Sequence, residues 1–278
     1  MQSEQVITER GTGTPLVLLH SSLSSKTQWS KLSEQLITGY RIIAIDLYGY
    51  GESEFPDSPN QFSLAKEAAR IARIIRQYLG NERFHLIGHS YGGATALRLA
   101  HENPSSILSL GLYEPVAFFL LDQSEPAYRI MQQVEQQIAS NLAKGDIPTA
   151  TAHFIDFWSG QGTYQGLPVE KQHMLDRYIN KVLLDFQAVL RETLRAEDYR
   201  NLALPVCLLR SQESPLPTRR VAEVLEHTLP RLEAHLVPGG HLAPITNADE
   251  VNPYWVNFLR YLREPAGPEE DERAKLLL

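Results

Sequence analysis

Short apolar runs of strand length alternate with amphipathic segments of helix length along this 278-residue chain, and that order restricts its fold more than any other feature. PLVLLH (15–20), RIIAIDL (41–47), FHLIGH (84–89), ILSLGLY (107–113), PVCLLR (205–210) and RLEAHLVP (231–238) read as strands. They hold too few polar positions to face water on either side, as in a parallel sheet covered by helices on both faces. Between them, SLAKEAARIARIIRQYL (63–79) sets Leu64, Ala68, Ile71, Ile75 and Tyr78 on one helical stripe, with Ser63 as its N-cap. An α/β fold with a mostly parallel sheet is expected.

The alternation stops between about residues 117 and 203, where EPAYRIMQQVEQQIASNLAKG and VEKQHMLDRYINKVLLDFQAVLRETLR carry helical patterning with no strand between them. So well patterned a stretch is a helical insertion and not a loop. The expected division is a core of 1–116 and 204–263, an insertion of 117–203, and a flexible C-terminal tail of 264–278, where EPAGPEEDERAKLLL mixes proline, glycine and charge.

Several function classes fall away on composition. The net charge of −7 is spread without basic blocks, so nucleic acid is not an expected partner. No apolar stretch approaches the roughly 20 residues that span a bilayer. The start, MQSEQVITERGTG, lacks the order of a secretory signal, so a cytoplasmic protein without membrane partners is expected. Cys207 is the single cysteine, which permits no internal disulfide or cysteine-based metal site, and within PVCLL it reads as core filling. GTG (11–13) and GYGES (49–53) lack the GxGxxG spacing of a dinucleotide site, and no His, Asp and Glu cluster has metal-ligand spacing. Neither metal nor cofactor is expected.

One motif carries chemistry. LIGHSYGG (86–93) sets Gly88, Ser90 and Gly92 in GxSxG spacing, after an apolar strand and before the helix-like ATALRLAHE. A sharp strand-to-helix turn lifts one side chain above the sheet edge, and glycines two positions either side let the neighbouring backbone pack closely. Ser90 is the candidate nucleophile.

With LLHSS (18–22), DLYGYGES (46–53), GHSYGG (88–93) and PGGHLAP (238–244) in this order, the chain resembles the α/β-hydrolase fold family over about residues 6–262. It is similar to small esterase-like members with a helical cap after the sixth strand of the family's count, where the 117–203 insertion falls. The resemblance implies a catalytic order of nucleophile, acid and base. Of the histidines after Ser90, His101 and His227 fall in helices, His153 and His173 in the insertion, and His235 in a strand. His241 follows a strand and a Pro-Gly-Gly turn that can bring it over the sheet's carboxyl edge, so it is the candidate base.

The acid departs from the family pattern. An Asp usually follows the family's seventh strand, where this chain has Ser214, with Glu213 beside it. Glu114 ends the strand after the nucleophile helix and so reaches the carboxyl edge where Ser90 lies. Pro115 is expected to hold it extended. By resemblance the haloalkane dehalogenase branch places a Glu at that strand end. Glu114 is the preferred acid, Glu213 the alternative, with Asp122 or an incomplete triad behind them.

For the oxyanion hole, Tyr91 N–H lies at a helix N-terminus directly after the nucleophile. The resemblance supplies Ser22 as the second donor, although Ser21 stands where the family has glycine. Phe118 and Phe119, in VAFFLL (116–121), are the better candidates for the pocket wall; Trp158, in HFIDFWSGQGTYQ (153–165), is a further candidate in a segment whose aromatic spacing first suggests packing onto the core. The expected activity is metal-independent hydrolysis of a small carboxylic ester through an acyl-enzyme, by a monomer or homodimer. Lactone or thioester hydrolysis and perhydrolysis use the same machinery. A ligand-binding signalling protein with slow turnover is the alternative from another class, and a pseudoenzyme the third. An Asp nucleophile, which related dehalogenases and epoxide hydrolases need, is absent at position 90.

Overall fold

A computed structural model describes residues 5–263; the expected tail of 264–278 lies outside the described residues. Seven strands form one sheet: β1 (Ile7–Arg10), β2 (Thr14–Leu19), β3 (Tyr40–Ile45), β4 (Phe84–His89), β5 (Ile107–Tyr113), β6 (Val206–Arg210) and β7 (Leu232–Leu236). Their order is β1-β3-β2-β4-β5-β6-β7, parallel throughout except for the antiparallel β1–β3 pair. Alternate residues of one strand enter two different cores. Val17 and Leu19 of β2 face one buried cluster, Leu16 and Leu18 the other. All four are fully buried, which explains the unbroken apolar runs.

Helices α1 (Ser30–Leu36), α2 (Leu64–Leu79) and α3 (Tyr91–Glu102) follow β2, β3 and β4. Five more, α4 (Pro126–Ala143), α5 (Ile147–Ser159), α6 (Thr163–Gly166), α7 (Val169–Asp176) and α8 (Ile179–Leu190), lie between β5 and β6. Helix α9 (Leu216–Thr228) joins β6 to β7, and α10 (Ala243–Thr246) and α11 (Ala248–Tyr261) follow β7 in the described residues. β5 is the fifth strand of the described chain and the sixth in the family's count. The helices after it share the larger core, since Met131, Ile138, Val182 and Phe186 belong to the same buried cluster as Leu19 and Leu112. No helix among the described residues is long and apolar enough to cross a membrane.

In α2 the Ser63 hydroxyl accepts from Lys66 N–H at 3.3 Å, the cap that its position promised. Leu64, Ala68, Ile71 and Ile75 are buried, but Leu79 and not Tyr78 completes the stripe, and Glu67 and Arg70 are buried with it. β7 is an edge strand with Glu233 and Ala234 exposed, unlike the covered strand expected there.

The topology fixes where chemistry can occur. β2 and β4 are neighbours, with Leu19 opposite Gly88, yet the chain leaves β2 towards β3 and leaves β4 towards β5. Connections that diverge from adjacent parallel strands open a crevice at their carboxyl ends. Ser22 and Ser90 stand on its two sides.

Candidate active site

Ser90 joins β4 to α3 with φ 56° and ψ −117°, a conformation that costs a non-glycine residue of order 1–3 kcal/mol. Its surroundings hold it there. Ser90 N–H donates to Tyr113 O at 3.0 Å, and Ser90 O accepts from Ala94 N–H at 3.0 Å and Val116 N–H at 3.2 Å. The turn also requires close backbone approach, because a Cβ on Gly92 would overlap the carbonyl oxygens of Leu19 and His20.

Above this turn three buried side chains meet. Ser90 Oγ lies 2.9 Å from His241 Nε2, and His241 Nδ1 lies 2.8 Å from Glu114 Oε2. Glu114 Oε1 accepts from Ser211 N–H at 2.7 Å. The three residues are 6%, 3% and 1% exposed for Ser90, His241 and Glu114. The histidine arrives on a turn in which Gly239 and Gly240 both have positive φ, 93° and 67°. Hydrogen bonds tie that turn down, among them Tyr113 OH to Gly240 O at 2.7 Å, Gly240 N–H to Ser211 Oγ at 3.2 Å, and His89 Nε2–H to His241 O at 2.9 Å.

Pro115 does not hold Glu114 extended. Glu114 has φ 38°, because its N–H extends the sheet ladder to Leu209 O at 3.0 Å while the chain must then turn to bring Val116 N–H to Ser90 O. The other acid candidates lie elsewhere. Glu213 Oε1 is 3.3 Å from Gly239 N–H, supporting the turn beneath the histidine. Asp122 is exposed and caps Ser124. Ser214 Oγ is buried without a hydrogen-bond partner.

The loop after β2 is held by groups the sequence did not single out. Burial pushes His20 down to about 4, so the neutral ring donates from Nδ1 to Ser21 O at 2.7 Å and accepts Leu47 N–H at Nε2 at 3.0 Å. The Gln28 amide oxygen accepts both Ser21 N–H and Ser21 Oγ–H at 3.1 Å, and its nitrogen donates to His89 Nδ1 at 3.1 Å. Burial also keeps His89 well below its ordinary value and neutral. Tyr91 N–H opens α3, so it is one of the donors a helix leaves without an internal acceptor.

Ser22, Ser90 and Tyr91 line one side of a cavity of about 20 Å³, faced by Val116, Phe118 and Trp158. That is room for about one water molecule. Trp158 stacks on the His241 ring with centroids 3.9 Å apart and planes at 22°, and its buried indole N–H has no partner. Phe119 is not in this lining: it is buried beside Tyr199, with ring centroids 6.5 Å apart. Neighbouring residues of the short helical turn Phe118–Leu120 point different ways, so only Phe118 faces the site. The remaining wall includes Asp185, whose carboxyl is pushed up by burial and pulled back by Lys181. A charged pair at i and i+4 within the apolar helix INKVLLDFQAVL was the available signal for both. Among the described residues no cluster of three His, Cys, Asp or Glu is placed to hold a metal ion.

A strained serine at a strand-to-helix turn, on the carboxyl edge of a mostly parallel sheet with helices on both faces, defines the class of the α/β hydrolases. The sequence matches the family described as alpha/beta hydrolase fold over residues 14–248, and the chain belongs to that family. It is 33% identical over 131 residues to a fluoroacetate dehalogenase of Burkholderia sp, a match that covers 46% of this chain and 40% of that relative, so the chain spans about two fifths of the relative's length. In fold it is similar to a thermophilic esterase from Thermogutta terrifontis, with TM-score 0.73, 21% identity and 93% of each chain covered. It is also similar to the enol-lactonase from Burkholderia xenovorans LB400, with TM-score 0.75, 17% identity, and 91% of this chain and 95% of that one covered.

Proposed function

We propose that this chain is a serine hydrolase that cleaves a small carboxylic ester through an acyl-enzyme on Ser90. The continuous hydrogen-bonded line from Ser90 Oγ through His241 to Glu114, at 2.9 and 2.8 Å, carries the proposal. In it Ser90 Oγ attacks the carbonyl carbon while His241 Nε2 takes the hydroxyl proton. Glu114 accepts the Nδ1–H bond, fixing the tautomer and stabilising the imidazolium as it forms. The developing oxyanion is held by Ser22 and Tyr91 N–H, donors of a kind worth about 3–4 kcal/mol each. The tetrahedral adduct collapses as the alkoxide leaves with the proton from His241. Water then attacks the acyl-enzyme with His241 as base, releasing the acid and restoring Ser90. Lactones and thioesters enter by the same steps.

Residues 117–203 act in this proposal as a cap over the acyl pocket, with Trp158 and Phe118 both supplying walls. The small volume of the cavity supports a short acyl group. The carboxylate nucleophile of dehalogenase chemistry has no counterpart at Ser90, so the reaction of the fluoroacetate dehalogenase is not carried over. The test is turnover of p-nitrophenyl acetate and butyrate with Ser90→Ala as control. Multiple turnovers that the substitution abolishes are expected; a single stoichiometric burst would instead mark a ligand-binding protein with slow hydrolysis.

A further inference from the structure

Ser22 and Tyr91, the proposed oxyanion donors, each end in a hydroxyl that reaches one buried ionic cluster. Ser22 Oγ–H donates to Asp185 Oδ2 at 2.6 Å, and Tyr50 OH donates to the same oxygen at 2.5 Å. Tyr91 OH donates to Glu67 Oε2 at 3.4 Å, while Glu67 Oε1 accepts Tyr48 N–H at 3.1 Å. Lys181 joins the two carboxylates: its ammonium pairs with Asp185 Oδ1 and lies 3.5 Å from Glu67 Oε2. It also sits over the rings of Tyr50, Phe62 and Tyr91, at 4.8, 4.7 and 4.7 Å from their centroids. Glu67, Lys181 and Asp185 are all buried.

Burying three charges is costly, and apolar packing of the same volume is usually at least as stable. No step of the proposed reaction uses them directly. Their placement is what distinguishes them: Lys181 and Asp185 lie one turn apart on α8, Glu67 on α2, Ser22 after β2, and Tyr91 at the start of α3. The peptide after Ser22 is also strained, since Leu23 has φ 57°. Such a conformation persists only where its surroundings fix it, and the Ser22–Asp185 bond is the anchor next to it.

We propose that Lys181 is a positioning residue, whose bridge between Asp185 and Glu67 sets the spacing of Ser22 and Tyr91 so that their N–H groups converge on the oxyanion. Seating of α8 is thereby coupled to transition-state stabilisation, and the helices of 117–203 become part of the catalytic apparatus. Lys181 also offsets one of two carboxylates that would otherwise repel the oxyanion. The inference rests on the serine-hydrolase function proposed above.

The experiment uses the full chain with p-nitrophenyl butyrate, counting competent sites by end-point labelling with a fluorophosphonate so that unfolded protein drops out. Lys181→Met is expected to lower kcat per labelled site by about 100-fold, with KM within about threefold, and to weaken a trifluoromethyl ketone analogue of the tetrahedral adduct by a similar factor. Two buried carboxylates without their cation can prevent folding, so Ser22→Ala and Tyr91→Phe, each deleting one hydroxyl, run alongside with an expected tenfold loss or about that in kcat and analogue affinity. If wild-type turnover survives Ser90→Ala, the hydrolase function fails and this inference with it. If turnover depends on Ser90 but the hydroxyl variants keep kcat and analogue affinity within about twofold, or lose only KM, the bridge alone is overturned.

Discussion

Substituting Glu114 by glutamine keeps its shape and removes its charge, and the structure dictates which way the new amide must face. Ser211 N–H donates to Glu114 Oε1 at 2.7 Å, so in the variant the amide oxygen has to stay there. The amide nitrogen then takes the place of Oε2, 2.8 Å from His241 Nδ1. A donor facing Nδ1 forces the ring proton onto Nε2, 2.9 Å from Ser90 Oγ, where a base must instead accept. The wrong tautomer and the lost carboxylate together are expected to lower kcat by about 10⁴-fold, roughly 5.4 kcal/mol of barrier. Glu213→Ala, which removes only the acceptor for Gly239 N–H at 3.3 Å, is expected to stay within about threefold. The assay is p-nitrophenyl butyrate hydrolysis at pH 8, normalised to sites labelled by a fluorophosphonate. A loss below about tenfold in Glu114→Gln, or a larger loss in Glu213→Ala, would refute the assignment.

Trp158→Ala removes the ring stacked on His241 and one wall of the 20 Å³ cavity. Across a series of p-nitrophenyl esters, the kcat/KM ratio of octanoate to acetate is expected to rise by about tenfold or more; an unchanged profile would place the acyl group elsewhere. Gly92→Ala drives a Cβ into the carbonyl oxygens of Leu19 and His20, backbone atoms with no rotamer to escape to, and is expected to cost about 3 kcal/mol in urea unfolding. Folding stability should fall with acidity. Burial holds His20 and His85 down at about 4, so the unfolded chain, titrating near 6.5, binds the extra protons. Stability is therefore complete above pH 6.5 and is lost as pH falls towards 4, by about 3 kcal/mol for each residue. A urea midpoint that stays flat from pH 7 to pH 4.5 would contradict this.

The sheet was legible where strands are covered on both faces, because there the apolar run is continuous. It was least legible at the edges. β1 is four residues, Ile-Thr-Glu-Arg, with two charges, and it left no apolar run to read. β7 was found, but its exposure was not, since the pattern does not say which strand ends the sheet. Ser90 and His241 stand in motifs whose glycines mark special backbone. Glu114 was reached by asking which strand end shares an edge with Ser90. Its backbone was misjudged because the local preference before proline yielded to the ladder bond with Leu209 and the turn to Ser90. Phe118 and Phe119 are adjacent and chemically alike, so only the direction of the turn separates them. Glu67 and its pairing with Lys181 were hidden for a different reason. A charged residue in an amphipathic pattern is assigned to solvent, and partners 114 positions apart leave no local trace.

The central claim is that Ser90 becomes acylated during turnover. Its most direct test is to mix the chain with p-nitrophenyl acetate, quench with acid during the steady state, digest, and locate the acyl group by mass spectrometry. The expected result is an acetyl group on the peptide that carries Ser90, absent from Ser90→Ala, and lost on further incubation at neutral pH as water completes the cycle. Turnover with no acyl group on Ser90, or an acetyl group that forms equally on the Ser90→Ala chain, would contradict the account.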